Sequence, residues 1–161
     1  MQQLLDQLLV PGDPPPFSLF NEKGGAPLLL LCDHASKAVP RALGNLGISE
    51  DELARHIGWD IGGLDAAIEL STVLDAPLVA SGYSRLVIDC NRWPGGEGSI
   101  PEISDGVHVP GNRGLTKEQV DARAGACFWP YHHEVDRQLD LMTAGGRPVA
   151  LLVMHSFTPE M

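Results

Sequence analysis

The chain contains no stretch approaching the roughly 20 consecutive apolar residues of a membrane-spanning helix. Its first residues also lack the basic-then-apolar order of a secretion signal. Basic residues are scarce: 11 Lys and Arg stand against 21 Asp and Glu, for a formal charge of −10. Most of such a surface repels a phosphate backbone, which argues against nucleic acid as a partner. Cysteine is rare as well. Cys32, Cys90 and Cys127 form no C-x-x-C pair, and two of them lie in apolar runs where a thiol packs as a small hydrophobe. There is no H-E-x-x-H, no G-x-S-x-G, no internal repeat and no low-complexity tract. Together these absences predict a soluble, cytoplasmic protein. Its 161 residues, 43% of them hydrophobic, suit one domain with a single core.

What is present is organised around Pro27–Ser36. Leu28–Cys32 is an apolar run too short for an independent helix and reads as a buried central strand ending in Asp33-His34. Val149–Met154 reads as a second buried strand that ends the same way, in His155-Ser156. In a parallel sheet covered on both faces, the carboxyl ends of the strands form the ligand-binding rim, so both imidazoles are expected there. Before this core, residues 1–26 form a lead-in. Met1–Val10 has one-face helical spacing, the Pro11–Pro16 stretch stops it, and Phe17–Phe20 runs extended. Ser49-Glu50-Asp51-Glu52 fits a capping box and starts a helix that carries Leu53 and Ile57 inward. A further helix is expected from about Ile61 to Leu74 with Asp60 as its cap. Ala76–Ala80 and Arg85–Cys90 read as strands, the second alternating so that Arg85 and Asp89 share a face and form an ion pair. Asn91–Leu115 reads as a long functional loop. Thr116 then caps a helix that extends to Met142 with a possible kink at Pro130.

His34 and His155 at strand ends, with Asp60 leaning over the same rim, would make a two-imidazole, one-carboxylate zinc set. Such a set leaves a coordination position for water, whose pKa the ion lowers to near 7. The alternative is structural: His34 caps a strand end, Asp60 caps a helix, and His155 is a partly buried, hydrogen-bonded side chain. Arg92 and Arg113 are candidates to grip a substrate carboxylate through a bidentate guanidinium. His132, on the long helix, could reach the site as a hydrogen-bond donor or stay on the helix surface.

Several segments together resemble the N-formylglutamate amidohydrolase family. They are C-D-H-A-S-x-x-V-P (Cys32–Pro40), L-x-x-H-I-G-W-D-I-G (Leu53–Gly62), Y-S-R-L-V-I-D-C-N-R (Tyr83–Arg92), the S-x-P-x-x-S-D-G and P-G-N pieces (Ser99–Gly106, Pro110–Asn112), P-Y-H (Pro130–His132) and H-S-F-T-P (His155–Pro159). The resemblance implies an α/β fold, a three-layer mixed sheet with helices on both faces, phosphorylase/hydrolase-like and related to zinc carboxypeptidases. It implies zinc-dependent hydrolysis of the amide bond of N-formyl-L-glutamate or a similar N-acyl amino acid, a step of histidine degradation. Carried over by position, His34 and His155 become metal ligands with Asp60 as the third, His132 being the alternative, and Arg85, Asn91 and Arg92 become substrate-binding residues. The chain departs from carboxypeptidases in having Lys37 where H-x-x-E requires the glutamate. Family members usually continue past H-S-F-T-P to a late glutamate that looks like the source of the general base. The expectation is therefore a domain lacking its C-terminal part, with Glu160 as a substitute base and an edge strand with unpaired backbone groups. The other expectation is an impaired remnant that binds an acidic metabolite or serves only as a folded interaction domain.

Overall fold

The computed structural model describes residues 8–158. The Leu28–Cys32 run forms strand β2, and each of its flanking strands has its own reason to be there. Leu78–Ser81 (β3) pairs with β2 in parallel, as does Ala150–Val153 (β6) on the other side. Phe17–Phe20 (β1) runs antiparallel to β3, giving the order β1-β3-β2-β6. The chain first crosses from β2 to β3 through the helix Gly63–Val73 (α2), after the single-turn helix Glu50–Leu53 (α1). It then returns past β2 to β6 through Lys117–Arg123 (α3) and Trp129–Thr143 (α4). Right-handed crossovers in opposite directions place their helices on opposite faces, so the sheet becomes the middle of three layers. The reversal also opens a crevice at the carboxyl ends of β2 and β6.

Strand periodicity divides the interior in two. Leu29 and Leu31 of β2, with Val79 of β3, face Tyr131, Phe128 and Val135 of the long helical layer. Leu30, Cys32, Leu78 and Ala80 face the opposite way onto Ala67, where small side chains let α2 lie close. All three cysteines are free and buried, the structural role expected of them. Burial pushes the Cys32 and Cys127 thiols up to about 12.

Several local expectations change. Arg85–Cys90 is no strand but a turn, with Leu86, Val87 and Ile88 all buried, so no alternating face exists. The 91–115 segment is more ordered than a loop. It contains a small hairpin, Ile103–Ser104 (β4) with Val107–His108 (β5), and a 3-10 turn at Pro110–Asn112. The capping boxes at Ser49 and Thr116 both form. The cap of α2, however, is Gly62, with φ of 75°, a left-handed conformation that glycine adopts without a Cβ clash. Asp60 is thereby released from a capping role. In the long helix the distortion falls at a π turn, Ala124–Phe128, and Pro130 sits in the first turn of α4, where its missing N–H costs least. Strand β6 was expected to be buried. It lies at the sheet edge, with Leu151, Leu152 and Val153 51%, 41% and 41% exposed. The expected Met1–Val10 helix falls mostly outside the described residues.

The 85–90 turn and the 91–115 segment are pinned by a buried polar knot. Asn112 donates to the carbonyls of Leu86 and Pro101 at 2.9 and 2.8 Å. Its Oδ1 accepts from Arg123 Nη1 at 2.7 Å, and the same guanidinium donates to the carbonyls of Val87 and Gly111. Removing one member strands the partners of the others in a buried setting. Asn112→Ala is expected to cost about 2–4 kcal/mol in urea denaturation, whereas a cost near zero would show that the knot is incidental to folding.

Candidate active site

Past the end of β2, the main chain is strapped to β3: Ser81 Oγ donates to the Asp33 carbonyl at 2.6 Å, and Ala35 N donates to Ser81 Oγ at 3.3 Å. That strap fixes His34, which is 3% exposed, at the carboxyl end of β2. The backbone N–H of Asp60 donates to the His34 carbonyl at 2.9 Å, so the segment leading into α2 is tied to the same place. Because β6 lies beside β2 in parallel, His155 emerges next to His34, and their ring centroids are 5.0 Å apart. The three residues expected at the rim therefore meet. Donor atoms of His34, Asp60 and His155 all lie within 4.8 Å of one another.

Asp60, fully buried, is the hub. Its Oδ2 accepts from His155 Nδ1 at 3.0 Å and from the Ser156 N–H at 3.2 Å, and lies 3.5 Å from His34 Nδ1. Its Oδ1 accepts from Arg85 Nη2 at 3.1 Å, with His56 Nε2 at 3.7 Å. The expected Arg85–Asp89 pair is replaced. Asp89 Oδ1 instead accepts from His34 Nε2 at 2.7 Å, while Arg85 Nη2 donates to His34 Nδ1 at 3.0 Å. The cause is the turn at 85–90, which sends the two side chains to opposite sides of the same imidazole. His155 is backed in a similar way, with Asp33 Oδ2 3.7 Å from its Nε2. Asp33 Oδ1 in turn accepts from the buried phenol of Tyr131 at 2.6 Å.

The remaining expected residues divide. Arg92 lies at the rim, its Nε 3.5 Å from Asp89 Oδ2, and the Asn91 N–H donates to Asp89 Oδ1 at 2.8 Å, with both residues exposed. His132 Nε2 donates to the Cys90 carbonyl at 2.9 Å, supporting the turn rather than joining the three donors. Arg113 is exposed beside the 3-10 turn, and among the described residues its side chain makes no contact with the cluster. Glu160 lies outside the described residues. Asp33, Asp89 and Tyr131 back the histidines, a role that no local pattern assigns them. Their motifs, C-D-H, D-C-N-R and P-Y-H, were the available signal.

Electrostatics follow from this packing. Burial opposes the Asp60 charge, but the adjacent His34 and Arg85 and the hydrogen bond from His155 outweigh it, holding the carboxyl at about 2. His34, with its Nε2–H on Asp89 and its Nδ1 lone pair taken by Arg85, is held in one tautomer. The stabilisation from Asp60 is complete above its ordinary value of 3.8 and is lost as pH falls toward about 2. Thermal unfolding in chelator is expected to show stability falling as pH drops from 3.8 toward about 2. That acid-side fall should be smaller in Asp60→Asn, and an identical profile in that variant would refute the assignment.

Comparison with known proteins agrees with this geometry. A family model described as N-formylglutamate amidohydrolase matches residues 26–161. Among solved structures, the crystal structure of a gene product from Agrobacterium tumefaciens superposes with a TM-score of 0.93 at 35% identity, covering 96% of this chain. This chain spans 62% of that protein's length. A search of curated proteins gave no match. With His34, Asp60 and His155 gathered at the rim and the match running through all three, the chain belongs to the N-formylglutamate amidohydrolase family.

Proposed function

We propose that the chain carries the site of a metal-dependent amidohydrolase that cleaves N-formyl-L-glutamate or a similar N-acyl amino acid to the free acid and amine. The observation that carries this reading is the grouping of two imidazoles and a carboxylate at one rim. Its donor set suits zinc, for which nitrogen and oxygen ligands lie at about 2.0–2.2 Å, so that ligand atoms in a tetrahedron stand about 3.4 Å apart. The spacings of 3.5 Å from Asp60 Oδ2 to His34 Nδ1 and 3.0 Å to His155 Nδ1 are close to that edge. Charge points the same way. The buried carboxylates Asp33, Asp60 and Asp89 are faced by one partly buried guanidinium, Arg85, with Arg92 only at the rim. A divalent cation would fill the deficit.

His34, Asp60 and His155 would hold the ion. When bound, it supplies Lewis acidity that makes a coordinated water acidic and polarises the amide carbonyl. Asp89 fixes His34 through Nε2, leaving Nδ1 toward the ion, the outer-carboxylate arrangement that keeps a ligand imidazole oriented. Arg92, exposed beside Asp89, is placed to grip a substrate carboxylate in bidentate fashion, and Asn91 lies next to it. Parallel strands delivering both imidazoles at their carboxyl ends support the finer reading of a phosphorylase/hydrolase-like fold related to zinc carboxypeptidases.

The test combines metal analysis with formate release from N-formyl-L-glutamate. Purified protein is expected to carry about one zinc per chain and to release formate. His34→Ala is expected to lose the metal and at least about a hundredfold in rate. Undiminished turnover in metal-stripped protein would overturn the reading. Thermal stabilisation by N-formyl-L-glutamate without product would instead make this a binding site only.

A further inference from the structure

One arginine is buried and another half-buried, and they are satisfied very differently. Arg123, 3% exposed, spreads its guanidinium over three acceptors, using Nη1 and Nη2 together, as a structural arginine does. Arg85, with a side chain 22% exposed, makes both of its contacts through a single nitrogen, and its Nε is buried with no hydrogen-bond partner. A fork that engages one tine and strands another donor is poorly seated for a permanent role. The position of the engaged nitrogen is telling. Nη2 stands 3.0 Å from His34 Nδ1 and 3.1 Å from Asp60 Oδ1, so it uses the imidazole lone pair that a cation would need. A guanidinium can only donate, so the two cannot hold that lone pair together.

We propose that Arg85 is a displaceable stand-in for the cation. In metal-free protein it neutralises Asp60 and occupies His34 Nδ1. Metal binding displaces it from that seat. The inference rests on the metal-site reading above and deepens it, because it makes ion and arginine competitors for one seat. The alternative is that Arg85 merely braces Asp60. The two differ in sign: loss of a brace weakens metal binding, whereas loss of a competitor strengthens it.

Zinc affinity, measured by competition with a chromophoric chelator, separates them. Arg85→Met, which keeps the bulk of the stem, is expected to bind zinc at least tenfold more tightly than wild type. Arg85→Lys retains the charge and is expected to stay close to wild type. A second readout needs no variant. Rotation of the Arg85 guanidinium, followed by nitrogen-detected NMR, is expected to be hindered in metal-free protein and released on adding zinc. Unchanged or weaker binding in Arg85→Met, with wild type binding normally, overturns the competition but leaves the metal site standing. Failure of both wild type and Arg85→Met to bind zinc overturns the metal site and this inference together.

Discussion

A fully buried carboxylate is costly unless every lone pair is used, and Asp60 sets the terms for everything around it. Its two oxygens receive the His155 imidazole, the Ser156 amide and the Arg85 guanidinium, with His34 and His56 alongside. Those partners come from the end of β6, the end of β2, the stretch before α2 and the 85–90 turn. Satisfying one charge therefore holds four distant segments together. The glycine cap at Gly62 contributes by relieving Asp60 of the helix-capping role common for its residue type.

Topology decides where that charge can sit. Because the chain goes from β2 to β3 on one side and then past β2 to β6 on the other, the crevice opens over β2, and parallel pairing brings His34 and His155 to the same end. The same order leaves β6 outermost, so an element expected to be buried is exposed along its length, although the histidine that follows it is held firmly by Asp60. The position of His155 thus depends more on the polar cluster than on packing of its strand.

Behind the donors lies a further layer. Asp89 grips His34 from its far nitrogen, and Asp33, clamped by the Tyr131 phenol, faces the far nitrogen of His155. Backing of this kind selects the tautomer and fixes the ring plane of each imidazole at the rim. It also concentrates negative charge in a low-dielectric pocket. That is the common origin of the depressed Asp60 and of the Arg85 guanidinium held against it.

By itself the sequence determined the elements whose signals are local. The Leu28–Cys32 strand rests on an apolar run, the α1 and α3 starts on capping boxes, and the candidate donors on the residues that follow each strand. These depend on neighbours within a few positions, so they are legible in one chain. Alternation misled at 85–90, because a buried turn can be as apolar as a strand, and the partners of Arg85 and Asp89 were exchanged as a result. Only the tertiary structure decided which carboxylate meets which imidazole, that Tyr131 rather than His132 reaches the cluster, and that β6 lies at an edge. Those outcomes turn on strand order and on contacts between residues some 50 to 100 positions apart, which no local pattern encodes.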